Sequence, residues 1–256
     1  MVDVSVTISG IIMCCDESIC GLNFGRGYTV EKCNLDTLFF KTKITNGQGN
    51  LNTDYFGSRI IENGKVSFIC LKKEAVIQIE GPSFSETKLE ITDKDCMCED
   101  ELQEYMDKEM EYLNERINLL RLFKSGNIGF RDVFFHYSFT VMGCIKNTID
   151  HCSHNQTRNT IESMKFTLSN DEINSCNSWL NEYCNKPYAL LKDGIDEFSW
   201  GLEQVDIPTG FEQYTTALEM TLLPQNQPGK KQMLANRISA MLGLSLIHIS
   251  EPTRPY

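Results

Sequence analysis

The chain has 256 residues, and its 24 basic and 35 acidic side chains give a formal net charge of −11 at neutral pH. This acidic balance argues against a general electrostatic grip on nucleic-acid phosphates. A hydrophobic share of 41% and a charged share of 23% are ordinary for a globular chain and exclude the disordered and fibrous classes. The length is sufficient for two domains with cores of their own.

The apolar stretches are short. Segments 67–71 and 133–144 are too short or too polar to cross a bilayer. The first residues lack the cationic start of a secretion signal, and Ser9-Gly10 interrupts the apolar run that follows. The sequence therefore predicts a cytoplasmic protein without a membrane partner.

The chain has eleven cysteines, an odd number spread over its whole length, which favours reduced thiols over a disulfide framework. A zinc site would need two chelating pairs at matched spacing. The tight clusters Cys14-Cys15 and Cys96-Met97-Cys98 do not have that form, and His151 with Cys152 and His154 is the nearest companion. We expect no metal and no cofactor.

Residues 1–93 carry the signals of strands and turns. Val2 to Ile8 alternates apolar and polar residues, and two further apolar runs, 65–71 and 75–79, follow a Glu62-Asn63-Gly64 turn. The glycine pairs at 25 and 27 and at 47 and 49 read as turn residues. This spacing predicts a β-rich sandwich or barrel-like N-terminal domain in a protein of the α+β class.

After Cys98 the apolar period changes from two to 3.6, which predicts a helical connector over 94–168. Acidic residues at 99–101 suit the start of its helix, and Gly126 suits a stop. The residues expected on its buried face are Leu102, Tyr105, Met106, Met110, Leu113, Ile117 and Leu120.

Residues 169–243 read as a third, all-helical segment. A capping box at Ser169 and Glu172 predicts a helix over about 171–184, and Pro187 predicts the first turn of another that ends near Trp200. Two more helices are expected over about 210–223 and 230–242, separated by a loop rich in proline. Two antiparallel helices of this length bury only half of what a bundle needs, so an apolar stripe on them should require further partners.

The last helix pair carries a family resemblance. The segment FEQYTTALEMTLLP at 211–224, followed by 230–243 with Ala235-Asn236-Arg237-Ile238-Ser239, resembles the opening helices of the ApeA-like HEPN domain. Residues 119–128 resemble the connector of these proteins, and 27–32 resembles part of their N-terminal domain. The resemblance implies a bacterial protein of antiphage defence by abortive infection, whose active HEPN domain is a metal-independent ribonuclease.

The residues after Gly243 resemble something else. The string from Leu244 to Tyr256 is similar to the translation of a transposon-based sequencing adapter assembled into a metagenomic contig. We therefore expect 244–256 to be an artefactual tail, His248 to have no role, and 1–243 to be the truncated front part of a larger protein. On this interpretation 169–243 is an incomplete HEPN-like bundle.

The family's catalytic element is an Arg followed a few residues later by a His. In this arrangement the His acts as general base on the ribose 2′-hydroxyl while the Arg stabilises charge on the phosphate. Arg237 has Leu242 at the corresponding spacing, so the motif is expected to be missing from this helix pair. Arg131 and His136 do match the spacing and are the candidate catalytic residues, although they precede the helix pair.

Glu219 and Arg237 form a second candidate pair, with a structural role. Glu219 is polar on an otherwise apolar helix, and a buried arginine on the next helix is the partner that such a carboxylate needs.

The sequence thus predicts a fragment of a defence effector, itself inactive, whose full-length form cleaves RNA. A homodimer and a phage-derived trigger sensed by the β-rich domain are expected by analogy. The alternative is a non-catalytic helical module for interaction or dimerisation, joined to a β-rich domain that binds a ligand or partner. The presence or absence of an Arg/His helix after Gly243 in the full-length gene distinguishes the two.

Overall fold

The computed structural model describes residues 2–80, 99–141, 144–153, 165–184, 191–204, 206–223 and 230–242. The chain divides into two compact units, Met1–Glu182 and Tyr183–Tyr256, which we call unit 1 and unit 2. Among the described residues, no helix combines the length and the apolar character that crossing a membrane requires.

The described elements confirm the α+β class. The strands are β1 Val2–Met13, β2 Thr29–Asn34, β3 Ile60–Glu62, β4 Lys65–Ile79, β5 Gly129–Val141 and β6 Cys144–Ser153. The helices are α1 Lys41–Ile44, α2 Glu99–Phe123, α3 Asn170–Cys184, α4 Lys192–Glu203, α5 Ile207–Leu222 and α6 Lys230–Leu242. Short 3-10 helices lie at Glu17–Ile19, Leu35–Thr37 and Thr53–Ser58.

Unit 1 is built on one antiparallel sheet of six strands. The strand order is β2-β4-β1-β5-β6, and β3 pairs with β4. The register sets Val6 of β1 opposite Ala75 on one side and Tyr137 on the other. A β-bulge interrupts the pairing of β1 with β5, because Gly10 faces Val133 whereas Ile12 faces Phe130. Two residues of β5, Arg131 and Asp132, thus lie opposite a single residue of β1.

Two sequence predictions differ from this sheet. The segment 94–168 was expected to be helical, but β5 and β6 occupy its second half. The described strands also form a single sheet and not a sandwich or barrel. The reason lies in β5, where Phe134, Phe135 and Tyr137 are all buried. A strand that is covered on both faces loses the alternation of apolar and polar residues, so the sequence pattern does not distinguish it from a buried helix.

Different elements cover the two faces of the sheet. Lys73 of β4 contacts Glu109 of α2. Phe68 and Cys70, at even-numbered positions of the same strand, instead pack in a cluster with Phe40 and Ile44. Successive strand residues point to opposite faces, so α2 lies against one face and the segment 35–58 against the other.

Helix α2 has the predicted buried stripe. All of its apolar positions named above are buried except Tyr105, which is half-buried. Two arginines in the C-terminal part of the helix, Arg116 and Arg121, are buried as well. Arg116 donates a hydrogen bond to the Leu180 carbonyl, and Arg121 donates one to the Ile128 carbonyl.

The capping box at the start of α3 is confirmed. The Ser169 N–H donates to the Glu172 carboxylate at 2.8 Å, and the Glu172 N–H donates to Ser169 Oγ at 3.3 Å. Lys124, just after α2, donates to the same carboxylate at 2.9 Å. The backbone hydrogen bond from Ser169 and the bond from Lys124 lower the pKa of Glu172. The cap therefore ties α3 to the end of α2.

Unit 2 contains the predicted helices α5 and α6, and α4 before them. Asp206 caps α5 by accepting from the Thr209 N–H at 3.0 Å, and Pro208 lies in the first turn. Helices α4 and α5 approach closely, because a side chain at Gly194 would collide with Thr221 and one at Gly201 with Tyr214. The predicted helix start at Pro187 and the tail after Gly243 lie outside the described residues.

Ser169→Ala is expected to lower the free energy of unfolding by about 1 kcal/mol, because it leaves an N–H at the start of α3 without its acceptor. The measurement is urea denaturation followed by circular dichroism. Ser175→Ala is the control on the same helix, since its hydroxyl only bonds back to the Asp171 carbonyl. Alanine favours helix at such a position, so this variant should be neutral or slightly stabilised. Equal losses in both variants would contradict the capping role.

Candidate functional site

The candidate catalytic Arg131 lies in the bulge of β5. Its guanidinium pairs with the Asp54 carboxylate at 2.7 Å and lies 5.8 Å from the centre of the Tyr55 ring. The neighbouring Asp132 is buried and accepts a hydrogen bond from Tyr55. Burial and this bond raise the pKa of Tyr55. The bulge therefore anchors β5 to the 3-10 helix that carries Asp54 and Tyr55.

His136 lies farther along the same strand. It is half-buried, and its ring lies 5.5 Å from the ring of Phe39, measured between centroids. The five residue steps from Arg131 to His136 span about 16 Å of extended strand. A general base and a charge-stabilising group must reach the same phosphodiester, whereas Arg131 contacts Asp54 and His136 contacts Phe39. The structure does not bring the two candidate residues together.

The second candidate pair lies in unit 2, on α5 and α6. Arg237 is exposed and donates to the backbone carbonyl of Leu222, and Glu219 is half-exposed. The structure thus directs the arginine to the open C-terminal end of α5, where carbonyl groups lack helical partners.

The described residues contain no group of three or more His, Cys, Asp and Glu side chains able to hold a metal ion. Seven cysteines in this part of the chain are free thiols. Cys96, Cys98 and His154 lie outside the described residues.

A site that the sequence analysis missed lies between α2 and the sheet. The Lys73 ammonium and the Glu109 carboxylate are 2.7 Å apart, and their side chains are only 10% and 8% exposed. The Tyr28 hydroxyl donates to the other carboxylate oxygen at 2.5 Å. The ammonium also lies 4.9 Å from the centre of the Tyr28 ring, a cation–π distance. One carboxylate thus neutralises one buried cation and satisfies one buried phenol.

The surroundings of this cluster affect the tyrosines most. Burial and the hydrogen bond to Glu109 raise the pKa of Tyr28, so its phenol stays protonated. Burial and the Glu109 charge raise the pKa of Tyr105, in the turn before Glu109, to about 12. Because Glu109 of α2 engages both Lys73 and Tyr28, the cluster positions α2 on the sheet.

The sequence held a signal for this cluster. Glu109 falls on the apolar stripe of α2, four residues after Tyr105 and four before Leu113. A lone carboxylate on a buried helical face requires a cation. Its partner was not predictable, because Lys73 stands in the run Lys72-Lys73-Glu74, and only the strand register decides which lysine faces inward.

Comparison with known proteins found no family model, no curated protein and no solved structure that matches the chain.

Replacing Lys73 by methionine is expected to cost about 3–5 kcal/mol of unfolding free energy, because it leaves the buried Glu109 carboxylate without its cation. The double variant Lys73→Met/Glu109→Leu should be more stable than Lys73→Met alone, since it removes both charges. Chemical denaturation of the variants and the wild type measures this as a double-mutant cycle.

The control is Lys72→Met on the same strand. Lys72 pairs with Glu31 on the other face, with side chains 40% and 48% exposed. An exposed pair contributes at most about 1 kcal/mol. If the two lysine variants lose the same stability, the cluster does not fasten α2 to the sheet.

Proposed function

We propose that the chain functions within a bacterial defence effector of the HEPN ribonuclease type. In this proposal unit 1 recognises a phage-derived trigger, unit 2 contributes helices to the nuclease bundle, and the effector acts on RNA as a homodimer without a metal. The described residues supply recognition and helix association, and the cleavage centre is not among them.

One observation carries this proposal: helix α5 is well formed and yet exposes large apolar side chains. Exposed fractions are 85% for Ile207, 69% for Phe211, 51% for Met220 and 45% for Leu218. On α6, Met241 is 71% exposed. Apolar side chains at this density on one helix typically mark an association surface. Ile207, Phe211 and Leu218 follow one another at helical spacing, as expected for a helix that packs in a bundle.

The resemblance supports the choice of family. The segments similar to the opening HEPN helices, 211–224 and 230–243, coincide with α5 and α6 to within a few residues. A helix pair is the local structure that the resemblance requires, although many unrelated bundles use the same unit.

The placement of Arg131 and His136 supports an inactive chain. Arg131 is engaged by Asp54 in a β-bulge, and His136 lies far along the same strand. We therefore expect no cleavage when the purified chain is incubated with a labelled single-stranded RNA and the products are separated on a denaturing gel.

The decisive comparison is between the wild type and His136→Ala, with His151→Ala as the matched histidine control on β6. Cleavage by the wild type that His136→Ala abolishes and His151→Ala preserves would show that β5 carries the nuclease centre. Equal background in all three samples supports the proposal.

The association role makes a separate prediction. The wild type should form dimers in a concentration-dependent manner in sedimentation velocity. Phe211→Ser should raise the dissociation constant roughly tenfold or more, because burying a phenylalanine contributes about 1.5–3 kcal/mol. Phe211 is exposed, so its replacement should leave folding unchanged within about 0.5 kcal/mol.

Glu212→Ser is the control, since Glu212 is the exposed neighbour of Phe211 on α5. A monomeric wild type, or equal dissociation constants for both variants, would contradict association through this surface.

A non-catalytic interaction module is the second candidate function. The same exposed side chains of α5 favour it, because they require a binding partner and no chemistry. The RNA assay does not separate it from an inactive part of a nuclease. If a longer protein that contains this chain also fails to cleave RNA, that result would favour the interaction module.

A further inference from the structure

Two arginines from distant parts of the chain meet at one tyrosine ring. The guanidinium carbon of Arg26 lies 4.0 Å from the centre of the Tyr112 ring, and that of Arg116 lies 4.6 Å from the same centre. Tyr112 and Arg116 are one turn apart on α2, whereas Arg26 belongs to the turn that precedes β2. We call Arg26, Tyr112 and Arg116 the arginine–tyrosine cluster. Like charges repel, so this convergence is costly unless an anion compensates it.

The charge of Arg116 is incompletely satisfied. The residue is 4% exposed, and its hydrogen-bond partner is the Leu180 carbonyl, 2.9 Å from Nη1. Its Nε is buried and has no hydrogen-bond partner in the part of the chain that the structure describes. In the same part of the chain, neither Arg116 nor Arg26 forms an ion pair with a carboxylate. A buried cation without an anion and a buried donor without an acceptor both carry a cost that a bound anion would remove.

Arg26 is fixed at this position by its own loop. The Tyr112 hydroxyl donates to the Phe24 carbonyl at 2.5 Å, and a side chain at Gly25 would overlap that hydroxyl. The Asn23 N–H donates to the Asn177 side chain of α3 at 2.8 Å. The loop is thus held on α2 and α3, and it places the exposed Arg26 against the same Tyr112 ring that the buried Arg116 contacts.

We propose that the arginine–tyrosine cluster binds the phosphate group of a small ligand such as a mononucleotide. A phosphate accepts from two guanidinium groups at once, through charge-assisted bonds of about 2.8 Å. The ligand enters from the side of Arg26, whose exposed guanidinium can move with it, and completes the hydrogen bonding of Arg116.

A small ligand fits this surface better than a nucleic acid. The chain has a net charge of −11. This charge repels an extended polyanion, whereas two arginines suffice for one phosphate. The arginine–tyrosine cluster belongs to unit 1, and phosphate binding there requires no RNA cleavage, so it does not depend on the proposed ribonuclease function.

The test is isothermal titration of the full chain with inorganic phosphate and with adenosine monophosphate, at an ionic strength matched with chloride. The wild type should bind both ligands in a saturable manner. Arg26→Gln should weaken binding roughly tenfold, the effect of losing about one charge-assisted hydrogen bond. Lys108→Gln should change binding less than about twofold. Lys108 is the matched control, because it is a 66% exposed cation on α2 outside the cluster.

Arg116→Lys tests the buried member while keeping its charge, and it should also weaken binding because an ammonium lacks the planar fork of donors. If circular dichroism shows this variant to be unfolded, Arg26→Gln decides alone. Three outcomes overturn the proposal: no saturable heat with either ligand, equal weakening by Arg26→Gln and Lys108→Gln, or binding of a short oligonucleotide with none of either small ligand.

Discussion

The rest of unit 1 depends on the pairing of β1 on both of its sides. β4 pairs with one edge of this strand and β5 with the other, so segments 2–13, 65–79 and 129–141 become neighbours. An antiparallel strand in the middle of a sheet satisfies all its backbone groups within the sheet, which permits side chains on both faces to be buried. From Ile8 to Met13, β1 is buried without interruption. Both covering layers, α2 and the segment 35–58, need this completed sheet as their support.

The burial of charge follows from that support. Helix α2 places Glu109, Arg116 and Arg121 in the interior, where an unpaired charge is costly. Glu109 is compensated by Lys73 and Tyr28 of the sheet layer. Arg121 bonds the Ile128 carbonyl just before β5. Arg116 also bonds a carbonyl and lies over an aromatic ring, but its Nε has no hydrogen-bond partner among the described residues. This open donor is why we propose a ligand at Arg116 and none at Glu109.

The two units differ in how their apolar surface is treated. In unit 1 the large aromatic side chains of β5 and the loop residue Phe24 are almost fully buried. In unit 2 the helix pair α4 and α5 is tightly apposed at Gly194 and Gly201, while Ile207, Phe211, Leu218 and Met220 of α5 stay exposed. Exposed apolar side chains of this kind are what the proposed association requires. Recognition by the sheet unit and association by the helical unit are the division of labour that we propose.

The sequence by itself determined the local structure whose causes lie within a few residues. The 3.6-residue period of α2, the capping box of Ser169 and Glu172, and the positions of α5 and α6 were all predictable, because capping and amphipathic spacing act over one or two turns. The α+β class followed from the same patterns. The spacing of Arg131 and His136 in the sequence was visible too. Sequence spacing does not fix the distance between two side chains until it is known whether they lie on a helix or on a strand.

Only the tertiary structure decided which distant segments meet. β5 was hidden because burial on both faces removes the alternation that marks a strand. The choice of Lys73 over Lys72 as the partner of Glu109 depends on a register that shifts every side chain to the other face when it slips by one residue. The convergence of Arg26 and Arg116 on Tyr112 joins a loop to a helix that lies far along the chain, and no pattern within either segment encodes it. These contacts arise from packing between segments, which the order of residues along the chain does not display.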